Sequence, residues 1–170
     1  MTPAQKVASI ESKLGGGPSE IDDHLRWMQH AMGEARRAEA WGEVPVGAVL
    51  VVGGAEFSRG HNRTIVDCDP TAHAEVVALR EAARVLGTHR IGGTVYVTLE
   101  PCAMCMGALI QARVEALVFA APDPKAGAAT SLYQLGDDPR LNHRFPSRPG
   151  PLAEEAAELL RDFFRRRRTS

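Results

Sequence analysis

Thr94-Val95-Tyr96-Val97-Thr98-Leu99-Glu100-Pro101-Cys102-Ala103-Met104-Cys105 is the stretch that decides the fold. Its first half is rich in β-branched and aromatic residues and predicts a central strand over Thr94–Thr98. Pro101 suits the first position of a helix, where its missing N–H is no loss, and that helix is expected to run to about Arg113. Another strand reads at Glu115–Ala121. Upstream, Pro70–Leu86 predicts a helix with Asp69 as N-cap, Pro70 at its first position and Gly87 past its end. Ile21–Trp41 sets Leu25, Met28, Ala31, Met32, Ala35 and Ala38 at helical spacing among charges, the pattern of an amphipathic helix. Pro45–Val52 reads as a buried strand, and Gly53-Gly54 as a tight turn returning through Ala55–Arg59. From Pro122 to Pro151 turn residues dominate, and Leu152–Arg168 closes the chain as an amphipathic helix. A hairpin followed by strands alternating with helices predicts an α/β protein, a three-layer α/β/α sandwich on a mixed sheet.

The 170 residues suffice for one domain with a full core. A 44% apolar and 24% charged composition is that of a soluble globular protein, and no apolar run approaches the roughly 20 residues of a membrane span. No secretory signal opens the chain, and Gly15-Gly16-Gly17-Pro18-Ser19 reads as part of a flexible lead-in over residues 1–20, so the cytoplasm is expected. Residues 21–170 then form the functional domain. The net charge of -1 carries no global argument for a polyanionic partner. Arg161, Arg165, Arg166, Arg167 and Arg168 nevertheless concentrate at the C-terminus, either as a phosphate-binding stripe or as a solvated helix end suited to the macrodipole.

Of the three cysteines, Cys102 and Cys105 sit in a Cys-x-x-Cys better suited to metal than to a disulfide framework, and Cys68 is left as a free thiol. With His73 they make three zinc ligands. Catalytic zinc sites keep three protein ligands and leave the fourth position to water, whereas structural sites are usually closed by four. A closed site would need a fourth Cys or His, and Cys68, five residues before His73, is the less favoured way to supply it. Glu75 is the carboxylate left unbound, placed to take a proton from the zinc-bound water and return it to the reacting group. Both ligand groups fall at predicted helix starts, which fixes their directions and lowers thiol pKa.

His73-x-Glu75 with Pro101-Cys102-x-x-Cys105 is the signature of zinc deaminases acting on nucleobases. The likeness extends through Glu43-Val44-Pro45-Val46-Gly47-Ala48-Val49-Leu50, Asn62-Arg63, Asp69-Pro70-Thr71-Ala72 and Tyr96-Val97-Thr98-Leu99-Glu100. It continues in Gly107-Ala108, Asp123-x-Lys125-x-Gly127-Ala128, Asn142-His143-Arg144 and Asp162-Phe163-Phe164-Arg165. Over about Trp27–Arg168 the chain resembles the bacterial tRNA adenosine deaminases of the cytidine deaminase superfamily, which convert adenosine to inosine at the anticodon wobble position. The resemblance implies a mixed five-stranded, cytidine deaminase-like sheet. The prolines between Arg144 and Gly150 make its fifth strand short or an edge, and leave four strands if that segment does not pair.

It also implies one Zn2+ per subunit on His73, Cys102 and Cys105, Glu75 as proton carrier, and Asn62 holding the flipped base. Asp123 and Lys125 would border the RNA cleft. Read without the family, Asn62 and Asp123 serve equally as turn residues. A tRNA partner engaged at its anticodon stem-loop, the arginine tRNA by resemblance, and a homodimer are implied as well. Pro122 and Pro124, where the family commonly has an arginine and a small residue, depart from the pattern. A free-base or nucleoside deaminase of guanine, cytosine or adenosine type is the alternative, and a non-catalytic RNA-binding protein with structural zinc ranks below it.

Overall fold

The computed structural model of the chain describes residues 20–170, so the expected lead-in falls outside the described residues except for Glu20, which is already helical. In α1 (Glu20–Ala40) the predicted stripe is buried from Met28 to Ala38, Trp27 joins it, and Leu25 alone of the predicted set is left exposed. The hairpin β1 (Gly47–Val52) and β2 (Ala55–His61) turns at Gly53-Gly54, both in the left-handed region. β2 runs two residues beyond the expected Arg59. β3 (Thr94–Leu99) pairs antiparallel with β1 and parallel with β4 (Ala116–Ala121). β5 (Ser147–Pro149) adds a three-residue parallel edge to β4, which completes a mixed five-stranded sheet of order β2-β1-β3-β4-β5. Pro149 is tolerated because an edge strand has one side free of ladder bonds.

Alternation along the strands splits the core into two layers. Leu50, Val95, Val97, Leu117 and Phe119 face α2 (Ala74–Leu86) and α3 (Ala103–Gln111), which contribute Ala78, Leu79, Met106 and Leu109. Val49, Val51, Tyr96 and Val118 face α1 and α4 (Ala153–Thr169) on the other side. The expected three-layer α/β/α sandwich is therefore the observed architecture. No helix among the described residues is long and apolar enough to cross a membrane.

Two helix starts differ from the sequence reading, and both differences bear on the candidate ligands. α2 begins at Ala74, with His73 as an extended N-cap (φ -72, ψ 156), four residues later than Pro70. The Asp69 carboxylate accepts from the Thr71 N–H at 2.8 Å and the Thr71 hydroxyl at 2.7 Å, which closes an Asx turn in place of a helix cap. α3 begins at Ala103, with Cys102 as N-cap (φ -73, ψ 173). Neither cap side chain bonds a helix N–H, so the imidazole and the thiol are available for other work.

Gly60 brings β2 against the first turn of α2. A Cβ there would lie 2.4 Å from the Ala74 carbonyl and 2.6 Å from the Ala78 nitrogen, both backbone atoms. Gly60→Ala is therefore expected to destabilise the fold by about 1–3 kcal/mol through overpacking. The fall in thermal midpoint should be several degrees, and an unchanged midpoint would contradict this account of how α2 is seated.

Candidate active site

His73 Nδ1 lies 3.4 Å from Cys105 Sγ and 3.7 Å from Cys102 Sγ. The ligand atoms of all three residues fall within 4.8 Å of one another. Zn–N bonds of about 2.0–2.1 Å and Zn–S bonds of about 2.3 Å at tetrahedral angles put N and S about 3.6 Å apart, so the donor set fits one zinc ion. Two helix N-termini create this corner: α2 delivers the imidazole from its cap, and α3 delivers sulfurs from its cap and third helical position. Cys68 is exposed and stands outside the group, which removes the fourth ligand a closed site would need. The Cys102 thiol is pulled down to about 3, first by its hydrogen bond with Cys105 and then by the His73 ring. Cys105, which donates to that sulfur and is buried, is pushed up. Metal ligation takes the thiolate form of both.

Glu75 is 3% exposed, in the first turn of α2. Burial pushes its carboxyl above the ordinary range. It is not one of the grouped ligand atoms, although it lines the same cleft as His73 and Cys102. A cleft of about 280 Å³ opens over these residues, with Val44, Val46, Asn62, Thr64, Leu99 and Asp123 among its walls. That volume is at the small end of ligand pockets, enough for a base rather than a folded polymer. Asn62 follows the last residue of β2, and its buried Oδ1 has no hydrogen-bond partner, while its Nδ2 makes only a long 3.5 Å contact to the Val44 carbonyl. An amide in that state offers a polar group to whatever enters.

The structure brings His73, Glu75, Cys102, Asn62 and Asp123 to one cleft, groups the buried Cys105 with His73 and Cys102, and leaves Lys125 exposed and off the cleft wall. Asp123 is also the turn residue of the plainer reading, because its Oδ1 accepts from the N–H groups of Lys125 and Ala126 at 3.0 and 3.2 Å. Of the terminal arginines, Arg166 pairs with Glu39 and Arg167 donates to the Gly42 carbonyl at 2.8 Å. The C-terminal helix thus ends beside the loop that carries Val44 to the cleft.

Two buried carboxylates that hold the cleft walls were not singled out in the sequence reading. Glu43 is fully buried and accepts from the Ile65 and Val66 N–H groups at 2.8 Å each and from the Thr64 hydroxyl at 3.2 Å. It thereby gathers the loop on one side of the cleft. Glu100, 2% exposed, does the same for the 123–131 segment on the other side. For Glu100 the available signal was its place directly after an apolar strand, since a buried carboxylate must find donors somewhere.

A mixed sheet carrying a His/Cys/Cys corner and a neighbouring buried Glu at two helix starts defines a zinc-dependent deaminase. Residues 21–121 match the family described as the cytidine and deoxycytidylate deaminase zinc-binding region. The tRNA-specific adenosine deaminase of Haemophilus influenzae is 46% identical over 152 residues, covering 88% of this chain and 87% of that protein. The Bacillus subtilis protein of the same name is 46% identical over 140 residues, covering 82% and 87%. A solved structure from work on A-to-I editing by tRNA:A34 deaminases at the wobble position of transfer RNA superposes with a TM-score of 0.77 at 42% identity, covering 80% of this chain and 99% of that one. The chain belongs to the tRNA-specific adenosine deaminase family, within the zinc-binding cytidine deaminase group.

Proposed function

We propose that the protein hydrolyses adenosine to inosine at the wobble position of a tRNA anticodon loop. The observation that carries this reading is the buried Glu75 carboxylate beside three zinc-spaced donors, on the floor of a cleft that also holds the unpaired Asn62 amide. His73, Cys102 and Cys105 would hold the ion. Bound zinc supplies a Lewis acid and lowers the pKa of a coordinated water from 15.7 toward about 7. Glu75 takes one proton from the attacking water and passes it to ring N1, then moves the remaining hydroxyl proton to the amine, which leaves as ammonia. The ring carbon gains the oxygen and inosine results. Asn62 fixes the base by its edge, and Asp123 shapes the cleft wall.

An anticodon loop presents bases that can be splayed out cheaply, which suits a cleft of one-base size. Phosphate contacts would come from Lys125, which is exposed beyond the wall, and from the exposed arginines at the end of α4, Arg166 and Arg167 exchanging their present partners for them. Residues 21–170 act as the catalytic domain. A homodimer, a cytoplasmic setting and an arginine tRNA with an ACG anticodon belong to the same proposal and rest on the family likeness.

The test compares inosine formation in that anticodon stem-loop with ammonia release from free adenosine, cytidine and guanine. Turnover of the stem-loop is expected. If about three phosphates are contacted, kcat/KM should fall roughly 10-fold or more between 50 and 200 mM salt. Turnover confined to a free base and insensitive to salt would replace this reading with that of a small-molecule deaminase.

A further inference from the structure

We propose that Glu100 is a positioning residue, whose carboxylate fastens the wall of the cleft to the turn that carries Cys102. This deepens the proposed function and rests on it for the identity of the substrate. One carboxylate oxygen, Oε1, accepts from the N–H groups of Ala129 at 3.2 Å, Thr130 at 2.7 Å and Ser131 at 2.8 Å, and from the Thr130 hydroxyl at 3.3 Å. The other, Oε2, accepts from the Asp123 N–H at 2.9 Å and from the Ser131 hydroxyl. A single side chain thus holds both ends of the segment that lends Asp123 and Ala126 to the cleft.

Backbone contacts carry the fastening onward to the metal corner. Ala128 N–H donates to the Pro101 carbonyl at 2.8 Å, and Gly127 forms an antiparallel bridge with Cys102. Gly127 packs so closely that a Cβ there would lie 2.4 Å from the Glu100 carboxylate. A buried carboxylate is costly to desolvate, and here oriented N–H and O–H groups compensate it in place of a cation. An arrangement that needs both oxygens as acceptors specifies Glu and disfavours its amide.

Glu100→Gln separates the two ends. Its amide can keep an oxygen toward the N–H groups of residues 129–131, but its NH2 then faces the Asp123 N–H, donor against donor, whereas the Ser131 hydroxyl can turn to accept. The substitution therefore frees the cleft end of the segment and spares the far end. Ser131→Ala is the comparison, because it removes one hydroxyl and leaves the Asp123 bond.

The first readout is amide hydrogen exchange on the zinc-loaded protein, and the second is KM against kcat on the anticodon stem-loop. In Glu100→Gln the Asp123 amide should exchange at least about 10-fold faster while those of Thr130 and Ser131 stay protected. Zinc should remain at one per chain, and KM should rise about 10-fold with kcat changing by less than about 3-fold. Ser131→Ala should lose thermal stability without either change. Unaltered Asp123 exchange, or an equal rise of KM in Ser131→Ala, would overturn the assignment. Should Glu100→Gln fail to fold, Glu100→Asp carries the same readouts, since it keeps the charge but is one methylene too short to span both ends. Absence of stem-loop turnover in the wild type would refute the proposed function, while the exchange measurement would still decide the role of Glu100.

Discussion

Glu75→Ala is expected to keep the fold and one zinc per chain while slowing inosine formation by about 100-fold to 10,000-fold, the range over which a single positioned proton carrier contributes. The geometry separates this residue from the ligands. His73 is an extended cap, and Glu75 stands in the first turn beyond it, so the two side chains leave the backbone from different conformations and the carboxylate remains outside the grouped donors. Burial raises its proton affinity, which brings a carboxyl closer to the balance a group needs if it is to accept and return a proton in the same cycle. The loss should appear in kcat, because the proton moves in the transition state and substrate binding is assigned to other groups. Truncation also empties a buried position, so Glu75→Gln is the companion variant: it keeps the volume, and its turnover should fall as far while its stability falls less. Metal analysis with single-turnover kinetics decides the matter. Zinc loss in Glu75→Ala would make the residue a ligand, and near-normal turnover would remove it from the chemistry.

Elements with strong periodicity were legible in the sequence: the α1 stripe, the glycine turn of the hairpin, and the strand running into Pro101-Cys102. The helix starts were misplaced where the residue types are wrong for the job. Ser, Thr, Asp and Asn are the preferred N-caps, yet His73 and Cys102 occupy those positions and make no cap bond. Each forgoes about 1 kcal/mol of capping, a local defect whose counterpart is the approach of the imidazole and the two sulfurs to one point. What fastens the cleft walls was missed for a different reason. Glu43 and Glu100 bond mainly to backbone N–H groups some twenty to thirty residues away, and backbone donors leave no mark in residue type. Asp123 shows that two readings of one residue can hold together, as a turn-former by its hydrogen bonds and as a cleft residue by its position.

Cys102→Ala should forfeit both the metal and the activity. With one thiolate gone, only His73 and Cys105 remain of the grouped donors, and two ligands do not hold zinc in the three-plus-water arrangement of a hydrolytic site. Without the ion, the attacking water returns from a pKa near about 7 to about 15.7. Hydroxide at neutral pH then becomes scarcer by roughly eight orders of magnitude, and even partial compensation by Glu75 leaves turnover at least about 10,000-fold down. Chelation of the wild type should reproduce the loss, with recovery on adding zinc, whereas Cys102→Ala should not recover. The fold itself is expected to survive at reduced stability, because Cys102 caps α3 without a side-chain bond and its bridge to Gly127 is made by backbone. Circular dichroism and a thermal melt separate unfolding from loss of the ion. Stoichiometric zinc with activity in this variant would mean that another group completes the coordination, and the three-donor corner would then be the wrong centre for the reaction.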